Sequence, residues 1–431
     1  MAKINSSNSG LNWANLYTSE DEPKTRSCYD PSGVAITLDE SHVKASGGEG
    51  FVYTVPDKLG FLVKIYKKDT LENKTKATEL RKRIETMVGM KALAARRDLA
   101  WPIMPVYSDA KAQHLIGFAM RACSGEPIAS LFGGPASVER KFPGWNRRDL
   151  AKAAMSFLQL VDDLAQQGVF VNDFNPANFL VDKSGRVSFI DTDSYQVSTR
   201  SGTPLLSHTH FPSHAAPELL EHPELLKRPR TIEQVRFSAA IIAFQILMCG
   251  YHPYSFYDAQ NGGACGTPDE NLRNGQCPLG CGATCRLPEN WYKLWSFLTG
   301  KLKNLFITTF REGHDDPSAR PDFGSFIFAL NGFVQECVRL PERLDLRPKK
   351  AKPHDLPISK PPRPNYPQAG FLNRRQGPFS PTYPPSYPPP YQQPYGYETR
   401  APRGNPYGQP TGCRPKRKPG NYSAPYNPYQ F

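Results

Sequence analysis

The chain has 431 residues, enough to bury a sizeable core in one large two-lobed domain or two ordinary ones. Its apolar content of 39% is low for a globular protein and its 43 prolines are many, but more than half of those prolines fall after Leu340. The net charge of +13 is just as local: residues 341–431 hold fifteen Lys/Arg against four Asp/Glu, so +11 belongs there and +2 to the rest, which excludes a nucleic-acid or membrane-surface reading for the folded body.

Residues 1–10 are polar and carry no secretory signal, and the longest apolar run, 239–248, is too short to span a bilayer. Nine cysteines are an odd number and five stand isolated, which suits reduced thiols. These features lead us to expect a cytoplasmic protein with no membrane association.

In chain order, residues 1–32 are polar and patternless and are expected to form a flexible leader. From 33 to 66 the pattern is strand-like: AITL at 35–38, then a glycine cluster (Gly47, Gly48, Gly50) ahead of Phe51, Val52 and Tyr53, then FLVKIY at 61–66. Glycines between two strands let backbone N–H groups approach phosphate oxygens, although an ordinary hairpin uses them too. Lys64 lies on an apolar strand, where an ammonium is expensive unless an anion receives it. Residues 70–93 carry Leu71, Leu80, Ile84, Met87 and Val88 at helical spacing. Two further strands are expected at 103–107 and 114–121, and an amphipathic helix at 147–167 that ends at Gly168.

Residues 171–197 read VNDFNPANFLVDKSGRVSFIDTDSYQV. Two short apolar runs flank a polar turn, which predicts a hairpin with Asp173 and Asn178 at one end and Asp191 at the other. A carboxylate base together with an amide and a carboxylate for Mg²⁺ is what phosphoryl transfer from ATP requires. Taken singly, each of these residues also suits a turn. Beyond lie an aperiodic Ser/Thr/His-rich segment at 198–213, Ala216-Pro217-Glu218, an apolar helix at 237–250, and helices at 291–310 and 323–338.

Asp173-Phe174-Asn175-Pro176-Ala177-Asn178 and Asp191-Thr192-Asp193 resemble the catalytic loop and metal loop of the protein-kinase superfamily, an Asp, four residues and an Asn, then Asp-Phe-Gly after a hairpin. Ala45, Gly47, Gly50 and Val52 fit the family's glycine loop, Phe61-Leu62-Val63-Lys64 its lysine strand, and Ala216-Pro217-Glu218 the end of its activation segment. The resemblance implies an α+β, bilobal protein-kinase-like fold with a small β-rich N-lobe at 33–122 and a larger helical C-lobe at 123–338. It implies ATP and Mg²⁺ as cofactors and a protein Ser/Thr substrate, possible autophosphorylation included. Lys64 would contact the phosphates, held by Glu79 or alternatively Glu85. Gly47, Gly48, Gly50 and Val52 would cover the nucleotide, and Met120 and Ala122 would form the adenine hinge. Asn178 and Asp191 would hold the metal, and Asp173 would act as base. Arg320 is placed to pair with Glu218. Within the superfamily the two loops look most like divergent bacterial stand-alone kinases of tellurite-resistance-associated triads, which implies a cognate Ser/Thr phosphatase and a von Willebrand A-type protein as partners.

The sequence departs from the family at several places. Val171-Asn172 replaces His-Arg, so no receiver for an activation-segment phosphate is evident, Asn175 replaces a Lys, Thr192 a Phe, and Val235 an Asp. A small-molecule phosphotransferase and a nucleotide-binding pseudokinase stay open as alternatives. An insertion at 258–288 carries Cys265, Cys277, Cys281 and Cys285, whose spacing admits a structural Zn²⁺ site, thiols or a redox pair, or an iron–sulfur cluster. The basic Pro/Tyr-rich tail at 339–431 is expected to be disordered, either a spacer or a tether for acidic protein or nucleic-acid partners.

Overall fold

The structure, a computed structural model, describes residues 26–351 apart from 40, 42, 56–57, 256, 259–262, 265 and 280–288. The small lobe is built on a sheet of β1 (Arg26–Tyr29), β2 (Ala35–Leu38), β3 (Val43–Ser46), β4 (Gly50–Thr54), β5 (Phe61–Tyr66), β6 (Pro102–Tyr107) and β7 (Leu115–Arg121). Its order is β2-β1-β6-β7-β5-β4-β3, and its paired strands are antiparallel. β5 is an apolar interior strand, paired on both sides, which buries Lys64 in a row of Leu62, Val63, Ile65 and Tyr66. Gly50 lets β4 lie tight against β5, because a Cβ there would come within 2.5 Å of the Ile65 carbonyl oxygen. The expected leader ends too late: residues 26–29 pair with β2 and touch β6, and Cys28 is buried. Four residues at the end of a polar stretch carry too little periodicity to announce an edge strand.

The helix expected over 70–93 is divided into α1 (Lys68–Glu72), α2 (Lys74–Gly89) and α3 (Lys91–Ala94). Asn73 divides the first two: its side chain accepts from the Lys76 amide at 3.1 Å and starts a new helix. Ile84 and Met87 face the sheet, and Trp101 donates its indole N–H to the Met87 carbonyl at 2.8 Å.

The large lobe continues through β8 (Glu126–Pro127), α4 (Pro135–Lys141), α5 (Arg147–Gln166), β9 (Phe179–Val181) and β10 (Val187–Phe189). Next come β11 (Val197–Ser198), β12 (Pro204–Leu205), α6 (Pro217–Glu221) and α7 (Ile232–Leu247). The last helices are α8 (Pro268–Arg273), α9 (Glu289–Ser296), α10 (Gly300–Ile307), α11 (Gly313–Asp315) and α12 (Phe323–Arg339). The predicted stripe of α5 (Leu150, Ala154, Phe157, Leu158, Val161, Leu164) is wholly buried, and the helix packs between α7 and α12. α7 is buried nearly all round, as a core helix without an aqueous face must be. Together the two lobes make the α+β, bilobal protein-kinase-like fold that the motifs imply.

The tail boundary also shifts. Residues 341–344 form a short 3₁₀ turn, Arg343 and Leu346 are buried, and Arg347 pairs with Glu139, so ordered chain runs past 339. The Pro/Tyr-rich centre lies outside the described residues. Of the four clustered cysteines only Cys277 is described; it is buried, with its Sγ 3.7 Å from the Pro253 carbonyl, and Cys265, Cys281 and Cys285 lie outside the described residues. Among the described residues no helix is long and apolar enough to cross a membrane.

Candidate active site

The hairpin is held on α5 by aromatic packing. Phe157 of α5 meets Phe179 at 5.0 Å and Phe189 at 5.5 Å between ring centres, and Phe179 meets Phe189 at 4.7 Å. All three are fully buried, each contributing roughly 1.5–3 kcal/mol by burial. Phe179 pairs with Phe189 across the ladder, and the Ile190 amide donates to the Asn178 carbonyl at 2.9 Å. The residues on either side of the hairpin's open end, Asn178 and Asp191, are thereby fixed beside each other.

Asp173 stands next to them. Its Oδ2 accepts from the Asn178 amide nitrogen and its Oδ1 from the Asn175 backbone amide, both at 3.2 Å. Burial, reinforced by the nearby Asp191 charge, pushes the Asp173 carboxyl up to about 6. That is a carboxylate poised to exchange a proton near neutrality. Asn175 has the turn role: its side chain accepts from the Ala177 amide at 3.0 Å and starts the 3₁₀ turn Pro176–Asn178.

Asp191 is one of three non-glycine residues with positive φ (+56°) among the described residues. Left-handed backbone is strained for a side-chain-bearing residue and collects at functional sites. It is held there by Ser194, whose hydroxyl donates to the Asp191 carbonyl at 2.9 Å. Thr192, in place of the family's Phe, is fully buried and donates its hydroxyl to the Ala100 carbonyl at 2.9 Å. A hydrogen bond to the strand-entry segment thus does the anchoring that an aromatic ring does in the family pattern.

Lys64 closes the site from the small lobe. Its Nζ lies 2.6 Å from Asp191 Oδ1, and 2.9 and 2.8 Å from the two carboxylate oxygens of Asp193. Burial alone pulls the ammonium down, but Asp193 and Asp191 outweigh it and leave Lys64 raised and charged. Asp191 is itself pushed up by burial and by Asp193, with Lys64 opposing. The expected lysine partner on α2 is corrected. Glu79 is exposed and is not a partner of Lys64, and Glu85 pairs with Arg81 at 2.8 Å. The α2 side chain that reaches the metal loop is Arg83, which donates to the Asp193 carbonyl at 3.1 Å and to the Leu206 carbonyl. Asp193, Tyr66 and Arg83 are the site residues that motif spacing passes over; the second Asp of Asp-Thr-Asp was the available signal.

The glycine cluster forms the β3–β4 turn, closed by the Gly47 amide donating to the Gly50 carbonyl at 2.9 Å, and Val52 sits opposite Lys64 in the ladder. Gly48 has open space where a side chain would be. The hinge expectation is corrected in part. Met120 lies inside the sheet, between Leu62 and Pro102, and the Ala122 amide donates to the Gly60 carbonyl at 2.9 Å. An amide already used in that way is not a donor for a base, so the chain leaves the ladder only at Cys123.

The segment after the metal loop is tied down by amides. Asn172 donates its side-chain amide to the Ser207 carbonyl at 2.8 Å, and Gln196 Oε1 accepts from the Arg230 amide at 2.7 Å. Arg320 grips Glu218 through two hydrogen bonds of 2.8 Å, its side chain fully buried over the Phe237 ring. Val171 and Val235 are buried, filling with apolar packing the places where the family pattern has His and Asp.

The oxygen donors beside Asp173, one carboxylate from Asp191 and one amide oxygen from Asn178, suit a hard cation such as Mg²⁺ that keeps its remaining positions for water and phosphate. Among the described residues no group of three or more His, Cys, Asp or Glu is placed to hold a metal alone.

No family model matches the chain. It is 29% identical over 231 residues to a protein named Protein kinase YegI from Escherichia coli O157:H7, covering 53% of this chain and 34% of that protein. The namesake from Escherichia coli strain K12 is 29% identical over 213 residues, covering 48% and 31%. The chain therefore spans about a third of the length of these curated relatives. A solved structure titled "ROP18 kinase domain in complex with AMP-PNP and sucrose" aligns with a TM-score of 0.45 and 17% identity, over 75% of this chain and 88% of that one. The order of the catalytic-loop and metal-loop motifs, the lysine strand and the Glu218–Arg320 clasp, together with the similarity to these two kinases, supports a divergent protein-kinase-like superfamily member.

Proposed function

We propose that the protein is an ATP- and Mg²⁺-dependent protein kinase that transfers the γ-phosphoryl group to Ser/Thr hydroxyls of protein substrates, itself among them. The observation that carries this reading is the convergence of Lys64, Asp191, Asn178 and Asp173 on one cleft, from strand, loop and hairpin. The printed name of the relatives, a protein kinase, supports the same class.

In this reading Lys64 binds the phosphates, and Asp191 and Asn178 hold Mg²⁺. When bound, Mg²⁺·ATP supplies the phosphoryl group and the charge neutralisation that its transfer needs. Asp173, with its two oxygens aligned by Asn175 and Asn178, orients the acceptor hydroxyl and takes its proton. Catalysis is then positioning and electrostatics, without a covalent enzyme intermediate. The clasped activation segment favours a protein acceptor over a small hydroxyl compound. The narrower resemblance makes a Ser/Thr phosphatase and a von Willebrand A-type protein its proposed partners.

The test is phosphate transfer from γ-labelled ATP with Mg²⁺, followed by hydrolysis of the labelled product to identify the phosphoamino acid. Phosphoserine or phosphothreonine formed by wild type and not by Asp191→Asn is expected. Label that persists in the variant, or ATP turnover with no labelled protein, contradicts the proposal.

A further inference from the structure

A buried ammonium needs a carboxylate that stays with it, since an unpaired charge in a low-dielectric interior costs several kcal/mol. If Asp191 turns to a metal, it is shared and no longer serves Lys64 alone. Asp193 has the properties of the permanent partner. Its side chain is 1% exposed, it meets Lys64 with both oxygens, and its Oδ2 also accepts from the Tyr66 hydroxyl at 2.8 Å. Lys64 and Tyr66 are alternate residues of β5 on the same face, so one carboxylate receives both. Arg83 of α2 holds the backbone of the same residue. Among the described residues no α2 carboxylate pairs with Lys64.

Building on the proposed kinase reading, we infer that Asp193 is the residue that positions Lys64 for the nucleotide phosphates, in place of a glutamate on α2. The anchor travels with the metal loop, two residues from Asp191, so a shift of α2 does not by itself break the lysine's ion pair. α2 contributes a cation, Arg83, which fastens the helix to the carbonyls of Asp193 and Leu206. Lysine alignment is thus built into the loop that holds the metal, and Tyr66 sets the rotamer of the anchor.

The test is a double-mutant cycle on the full chain with Lys64→Ala and Asp193→Asn, read both as binding of a fluorescent ATP analogue with Mg²⁺ and as phosphate transfer. We expect Asp193→Asn to weaken binding about tenfold and to slow transfer about 100-fold. It should cause no further loss once Lys64 is Ala, because it acts through that lysine. Glu79→Gln and Glu85→Gln stay within twofold of wild type. The Mg²⁺ concentration for half-maximal binding is unchanged in Asp193→Asn; a tenfold rise would make Asp193 a metal ligand and overturn the inference. Losses that multiply in the double variant, or a Glu79→Gln loss as large as that of Asp193→Asn, would overturn it too. If Asp193→Asn does not fold, Tyr66→Phe serves in its place, with a several-fold loss that vanishes in the Lys64→Ala background. A wild type that binds nucleotide but transfers no phosphate fails the kinase reading, and the binding cycle then decides the anchor by itself.

Discussion

The two flanks of the cleft differ in how their residues find one another. On the large-lobe flank, Asp173, Asn178 and Asp191 lie within nineteen residues of each other and are joined by one hairpin, so their spacing determines their proximity. On the small-lobe flank, Lys64 meets carboxylates 127 and 129 residues away, and which acid it meets depends on the rotation of α2 and on where the metal loop turns. Short-range geometry follows from ladder and turn rules, whereas a long-range ion pair is chosen by packing among several acids of similar reach. The lesson is to trust a motif for the residues it spans and to distrust it for partners it only implies.

That contrast gives a series of perturbations, from the largest effect downward. Asp191→Asn removes the carboxylate proposed to hold the metal and one Lys64 contact, and should reduce phosphate transfer by a factor on the order of 10³ or more, as loss of a principal electrostatic group does. Glu218→Ala leaves Arg320 charged and buried without its carboxylate and should cost about 3–5 kcal/mol of stability by denaturant unfolding. Asn172→Ala orphans the Ser207 carbonyl and should cost about 1–3 kcal/mol. Since Asn172 and Gln196 already order the activation segment, phosphatase-treated wild type should retain its activity. An activity that appears only after phosphorylation of that segment contradicts this account of the segment.

Proton transfer supplies a pH test of the hairpin flank. Asp173 is pushed up to about 6 by burial and then by Asp191, and only its ionised form accepts a proton. The kcat/KM profile should therefore rise with pH through about 6 and fall about tenfold per pH unit below it. The smallest effect belongs to the other flank: Glu79→Gln, an exposed residue, should change stability by no more than about 0.5 kcal/mol.

Much of the fold was legible in the residues. The apolar run Phe61–Tyr66, the apolar stripe of Arg147–Gln166 and the turn at 182–185 each appear where the pattern implies. The pairing of Arg320 with Glu218 was legible as well, because the family order fixes both ends of that contact. What escaped has physical causes. β1 is a four-residue edge strand whose pairing is supplied by β2 and β6, and Asn73 broke a helix by capping the next one. Asp193 was passed over because a second Asp in a short loop has the look of a turn residue until a buried Lys64 and Tyr66 are found against it. Ala122 failed as a hinge donor because β7 stays in register with β5 up to Arg121, which commits the next amide to Gly60.

The most direct measurement is nucleotide binding and phosphate transfer in Asp173→Asn beside wild type. The account predicts unchanged Mg²⁺·ATP affinity with transfer reduced about 10²–10⁴-fold, because Asp173 handles the acceptor's proton and not the nucleotide. Transfer at the wild-type rate in Asp173→Asn would contradict it and place the chemistry elsewhere.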